Sequence, residues 1–328
     1  MQEEHNPRIA MGKATKILRR SIHTFLQHYQ HFTSIVALIA FPFSVSVLIS
    51  QAIVPSSSTS SLFPTIHNRL QSLFDAAGFP PSSQFFTILT HKLSQTISSS
   101  IFTLPFTLTF LLITKASITQ ALNFHKNPSL SSALSLYPSI LITHLCNSLL
   151  ILSANATVFS LLFIAFNFLE GFGFSDSPKT LLFLSASGAV LYSIVLANAL
   201  IICNMALVLS GTENSGGYLT ILKACLVIRG RTSTALFLAL PVSLGLAAIE
   251  ALFQYRVVRA YHFEGKLGSS MVLEGVFIAY LYSILVVLDT IVSFKFFKSC
   301  KTSSWVEYTD EESGGYTNLK TALMKEVS

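Results

Sequence analysis

Long uncharged, apolar runs alternate along this chain with short polar or basic segments, and six of the runs are long: 32–54, about 97–113, one within 137–169, one within 181–209, 234–253 and 271–294. A helix rises 1.5 Å per residue, so about 20 such residues cross roughly 30 Å of hydrocarbon. Lipid offers no hydrogen bond to an exposed amide, and each run must therefore close its backbone bonds internally. The pattern predicts an all-α fold, a polytopic helical membrane protein of about six transmembrane helices. The third run is too long for one perpendicular crossing and too short for two with a turn. It predicts one tilted helix that protrudes from the membrane.

The segments between runs are amphipathic. In 218–228, Leu219, Leu222 and Cys225 recur at helical spacing opposite Lys223, after the pair Gly216-Gly217. The stretch 17–32 places Leu18, Ile22, Phe25 and His28 on one side, and Ile66, Leu70, Leu73, Phe74 and Ala77 do the same after a serine-rich strip at 56–61. Each predicts a helix lying on a membrane surface. Ala40-Phe41-Pro42-Phe43-Ser44-Val45-Ser46-Val47 is echoed by Ala239-Leu240-Pro241-Val242-Ser243-Leu244-Gly245-Leu246. Both follow a basic amphipathic segment, which suggests a unit of surface helix, span, outer loop and span. A middle copy would enter through 129–136 and match less well. Pro42 and Pro241 are expected to kink their spans, since each removes a backbone donor.

Composition fixes the solvent. The 328 residues are 51% hydrophobic and 11% charged, with mean hydropathy +0.61, whereas a soluble domain carries about 25% charged residues. A water-soluble fold is excluded, because the surplus apolar area must face lipid. The net charge of +6 does not point to nucleic acid: the basic residues flank apolar runs and make no aromatic-interleaved patch. Anionic headgroups at the cytoplasmic face are the expected counter-surface.

Lysine and arginine also set orientation. Arg8, Lys13, Lys16, Arg19, Arg20, Lys115, Lys126, Lys223, Arg229, Arg231, Lys295, Lys298, Lys301, Lys320 and Lys325 fall in one set of alternate segments. Only Arg69, Lys92, Lys179, Arg256, Arg259 and Lys266 fall in the other. The positive-inside rule makes the first set, and both termini, cytoplasmic. The chain divides into a basic amphipathic N-terminal segment, 1–31, a membrane domain, 32–294, and a tail, 295–328, whose low hydrophobicity predicts disorder. Its polar start argues for a retained signal-anchor over a cleaved signal peptide. Cys146, Cys203, Cys225 and Cys300 sit in spans or on the cytoplasmic side, so no disulfide is expected. Cys300, between Lys298 and Lys301, is a candidate for palmitoylation. The sequon Asn155-Ala156-Thr157 falls inside the third run and is expected to be unused.

Candidate chemistry is sparse. Glu250 lies near the outer end of the fifth run and Asp289 near the inner end of the sixth; a charge at mid-bilayer costs roughly 2.5–3.5 kcal/mol, less at such depths. Glu250 is expected to meet Arg256 or Arg259, and Asp289 to meet Lys295 or a cytoplasmic-loop base. His144, Asn147, Ser148 and Asn155 share a narrow arc at about 100° per residue, a stripe for interhelical bonding or a solute path. Ser243, Ala247 and Ala251 form a small face expected to pack closely. Zinc, phosphate-loop and dinucleotide motifs are absent. The expectation is a non-enzyme without cofactor or metal. In the tail, Tyr316 and Leu319 have the spacing of a tyrosine-based sorting signal.

The stretch Leu222-Lys223-Ala224-Cys225-Leu226-Val227-Ile228-Arg229-Gly230-Arg231, continuing to Glu250-Ala251-Leu252-Phe253-Gln254-Tyr255-Arg256, resembles a plant family of uncharacterised six-span transmembrane proteins. The resemblance implies an endomembrane or plasma-membrane setting and brings no catalytic or binding residues. In architecture alone the chain is also similar to membrane domains attached to bacterial glycerophosphodiesterases, whose hydrolase part it lacks. The expected function is non-catalytic, organising membrane, lipid or protein partners, with membrane-protein partners or a homo-oligomer as companions. The alternative is a transporter or channel for a small solute.

Overall fold

A computed structural model of the chain describes residues 7–56, 62–76, 84–124, 130–171, 178–264 and 268–326, all but a few turn residues of them in helices. Six helical stretches are long and apolar enough to cross a bilayer: Tyr29–Ala52, Leu93–Asn123, Ala133–Ala165, Ala186–Glu213, Thr232–Tyr261 and Ser269–Thr302. Each coincides with one predicted run. The third is a single unbroken helix, Leu130–Gly171, of 42 residues, so it is about 63 Å long and exceeds the hydrocarbon thickness twofold.

The spans pack most closely as consecutive antiparallel pairs, first with second, third with fourth and fifth with sixth. The sixth also touches the first, second and fourth, and so forms the hub of the bundle. Half of the most apolar stretch of the fourth span is buried against 6% of that of the third, which puts the fourth inside and the third at the periphery. The third presents Leu145, Leu149, Leu152, Leu161, Ile164 and Phe168 outward. In water that surface would be costly. In a bilayer it is the lipid-facing wall.

Hydroxyl-rich spans survive this solvent because their side chains bond back one turn. Thr107, Thr109, Thr114, Thr119, Thr157 and Ser160 each donate to the carbonyl four residues earlier. Three spans widen locally to π-helix, at Val36–Ala40, Thr107–Leu111 and Gln254–Val258. Pro42 closely follows the first and Pro105 closely precedes the second, as expected where a ring removes a donor and the ladder must shift. The carbonyl of Leu108, inside the second π segment, accepts from Tyr137 Oη of the third span at 3.0 Å. Around Pro241, by contrast, the α-helix Thr232–Phe253 is uninterrupted, and the π segment comes after it.

Among the described residues, three separate helices do not cross. Pro7–Gln27 packs on the fifth and sixth spans, Leu62–Ala76 on the helix carrying the second, and Tyr218–Ile228 mainly on the fourth. The first and last of these precede the first and fifth spans, as the repeated unit requires. The middle copy has no separate surface helix, because 130–136 is already part of the third span's helix. The small face of the fifth span is turned outward: Ser243, Ala247 and Ala251 are exposed, while Ala235, Leu238, Val242 and Phe253 form the packed side. The close approach to the sixth span comes instead at Gly245, where a Cβ would stand 2.9 Å from Leu285 Cδ1. At the C-terminus the helix Ser269–Glu326 continues through the tail that composition predicts to be disordered. Side chains beyond Thr302, Tyr316 and Leu319 among them, lie outside the described residues, as does Ala77.

Candidate functional site

Lys115, Asn204 and Asp289 meet inside the bundle, one each from the second, fourth and sixth spans. The second helix continues past the predicted end at residue 113, and residues 114–119 are buried on every side. Lys115 is thereby carried into the protein. Its Nζ donates to Asn204 Oδ1 at 3.1 Å, and it lies close enough to Asp289 and to His144 for their charges to interact. Of the two partners expected for Asp289, the one found is the base from a loop segment, Lys115, while Lys295 feels Lys298 and Arg20. Sequence order left open which loop base this is, because Lys115 sits 174 positions upstream.

Asn204 and Asp289 also line a cavity of about 40 Å³ with Ser293, between walls from the fourth, fifth and sixth spans. A water needs roughly 10–15 Å³ by that measure, so the space suits a very small polar guest. Asp289 makes no hydrogen bond among the described residues, and its carboxyl borders this space.

Only part of the predicted stripe on the third span faces inward. Asn147 is 2% exposed and its Nδ2 donates to Cys203 O at 3.0 Å, while its Oδ1 has no partner among the described residues. His144 is half-buried near Lys115. Ser148 is exposed and satisfies itself on His144 O at 3.0 Å, and Asn155 is half-buried further along. The arc is narrow but its centre lies at Thr143 and Asn147, with Ser148 beyond the edge. Thr143, which sequence reasoning passed over, bonds Ser210 Oγ at 3.1 Å and accepts from Gly217 N at 3.0 Å. This ties the third span to the turn before Tyr218–Ile228. Gly217 has φ +91°, and a Cβ on Gly216 would stand 2.7 Å from Ser139 O, so the pair admits no side chains.

Glu250 accepts from Tyr282 Oη of the sixth span at 3.1 Å. The arginines expected beside it are occupied elsewhere: Arg256 pairs with Glu274 at 3.4 Å, and the Arg259 guanidinium sits 5.5 Å from the centre of the Tyr255 ring.

The second site lies at the basic end. A cavity of about 500 Å³ opens between the ends of the fourth and sixth spans and the helix Tyr218–Ile228. Leu209, Leu226, Val227 and Phe297 supply apolar walls, and Lys223, Arg229, Arg231 and Lys301 supply charge. Glu213, the one carboxylate among the described lining residues, is held by Lys223 at 3.0 Å. Cys300 forms part of the wall and is 3% exposed; its carbonyl accepts from Arg231 Nη1 at 2.9 Å. The lysines that marked it for acylation therefore flank a packed thiol. All four cysteines are free thiols, and burial pushes the Cys225 thiol up.

Buried helices around an internal charge cluster, lipid-compatible outer walls and a basic rim define a polytopic α-helical membrane protein. The chain belongs to the family described as Domain of unknown function (DUF8558), whose model matches residues 1–312. No curated protein and no solved structure matches it.

Proposed function

We propose that this is a non-catalytic membrane protein that gathers anionic lipid at its basic face, taken as cytoplasmic, in an endomembrane or plasma membrane. The observation that carries the reading is the helix Pro7–Gln27. It turns Ala10, Ala14, Ile17 and Ser21 onto the fifth and sixth spans, leaves Met11, Ile22 and Leu26 exposed, and presents Lys13, Lys16, Arg19 and Arg20 on its remaining side. A helix so divided rests on the bundle with one edge, in hydrocarbon with another and among headgroups with the third. Each basic residue near an anionic surface contributes about 1 kcal/mol, screened by salt. The test is extraction of the full chain in polymer nanodiscs from a membrane of mixed lipid. Enrichment of phosphatidylserine over the bulk, falling in high salt and in a Lys13→Gln/Lys16→Gln/Arg19→Gln/Arg20→Gln variant, supports the reading. Lipid identical to the bulk refutes it.

A second reading, a carrier for a small solute, is favoured by Lys115, Asn204 and Asp289 around the 40 Å³ cavity. Ionisable groups inside a membrane bundle commonly mark solute or proton paths. Solute flux into reconstituted vesicles that is lost in Asp289→Asn would promote it, and vesicles that stay tight with the native chain would remove it.

A further inference from the structure

We propose that the cavity of about 40 Å³ between the fourth, fifth and sixth spans is a site for ordered water, which completes the link between Lys115 and Asp289. The ammonium donates to Asn204, Asn204 donates to water, and water donates to the carboxylate. This water is held whether the protein gathers lipid or carries a solute. One molecule takes roughly 10–15 Å³ by the same measure, so the cavity has room for about three.

The three polar residues on the cavity wall keep hydrogen-bonding capacity that similar residues on the same helices spend. Ser283 and Thr290 of the sixth span bond back to the carbonyl four residues earlier, at 2.7 and 3.1 Å, whereas the Ser293 hydroxyl bonds no protein group among the described residues. Asn198 of the fourth span donates to Ile194 O at 3.0 Å. Asn204 on the same helix spends only its Oδ1, on Lys115, and keeps both N–H donors. Asp289 and Lys115 feel each other's charge without forming a direct ion pair, and the carboxylate accepts no hydrogen bond among the described residues. A carboxylate so placed is costly inside a bundle unless donors reach it. Water between these groups accepts from Asn204 Nδ2 and donates to Asp289 and Ser293, and each bond in such a chain polarises the next.

Charge and size select water over other occupants. Lys115 and Asp289 balance one another, so an entering cation would meet the ammonium and an entering anion the carboxylate. Organic ligands occupy sites of roughly 300–1,000 Å³, far more than this space offers. A small neutral molecule with two donors and two acceptors matches one amide, one carboxylate and one hydroxyl around a single cavity. Met205, Leu238, Val292 and Phe296 supply apolar, buried wall between them, which screens the site from bulk solvent.

Met205 supplies the test. It lines the cavity and is 3% exposed, against 7% for Met271, which does not line it, and 57% for Met11 on the N-terminal helix. The full chain in nanodiscs is given millisecond X-ray pulses, which split water into hydroxyl radicals where it sits, and methionine oxidation is read by peptide mass spectrometry. Met205 is expected to oxidise several-fold faster than Met271. It should keep that rate when excess free methionine amide in the buffer quenches oxidation of Met11. Ala239→Leu from the fifth span and Ser293→Val from the sixth each fill the cavity and leave every charge in place, so each should bring Met205 down to the rate of Met271. Oxidation of Met205 no faster than that of Met271 in the native chain would overturn the proposal, and this comparison needs no variant. Protection of Met205 by the scavenger to the same degree as Met11, or an unchanged Met205 rate in both filling variants at native thermal stability, would overturn it as well.

Discussion

Replacing Lys115 by leucine should destabilise the bundle more than any substitution on its outer surface. The ammonium has no solvent to return to: it is buried, donates to Asn204 Oδ1 at 3.1 Å and faces the charge of Asp289. Lys115→Leu strands the carboxylate, and Asp289→Leu strands the ammonium; removing one partner of a buried pair costs about 3–5 kcal/mol. The two charges do not touch directly, and Coulomb energy at an effective dielectric near 20 is about 4 kcal/mol at 4 Å and falls with distance. Their coupling should therefore lie below about 4 kcal/mol. Lys115→Leu/Asp289→Leu removes both charges, so it should cost well under the sum of the singles. Unfolding by sodium dodecyl sulfate in mixed micelles, run as a double-mutant cycle, measures this. Single-variant losses that add to within about 0.5 kcal/mol would show that the two groups do not interact, and would refute the reasoning.

Two further outcomes follow from local geometry. Gly216→Val should loosen the turn before Tyr218–Ile228 by about 1–3 kcal/mol, since its Cβ would press on Ser139 O and displace the Gly217 amide from Thr143; wild-type thermal stability in detergent would contradict this. Cys225 should react with maleimide more slowly at neutral pH than an exposed cysteine. Its raised pKa leaves less thiolate there, so the rate should keep rising at pH values where a free thiol has levelled off. A midpoint at or below that of a free cysteine would contradict the burial.

The spans were legible in the sequence because lipid imposes a length and composition rule that local reading captures: each predicted run lies on one of the six helices. The helix Tyr218–Ile228 was legible for the same reason, as its exposed Leu219 and Leu222 are the apolar side that the periodicity marked. What escaped was pairing. Lys115, Asn204 and Asp289 come from three spans, and nothing in the periodicity of one helix says which neighbour it faces. A signal did exist for Lys115: Ile118 and Leu122, four residues apart, continue an apolar side of the helix beyond the predicted span end. Ser243, Ala247 and Ala251 failed for the opposite reason: a small-residue face is compatible with close packing but does not require it, and here the packed side carries Ala235, Leu238, Val242 and Phe253, with the close approach at Gly245. Glu250 was assigned to nearby arginines by sequence distance, whereas Tyr282 of the adjoining span bonds it.

The most direct test of the membrane architecture is accessibility of single cysteines, placed at Lys13, Arg69, Glu213, Arg256 and Thr302 in a chain lacking its own, to an impermeant maleimide in sealed vesicles. Six crossings place Lys13, Glu213 and Thr302 on one side and Arg69 and Arg256 on the other, so each group should label only from its own side. Labelling of Lys13 and Thr302 from opposite sides, or of all five from one side, would contradict a six-span bundle.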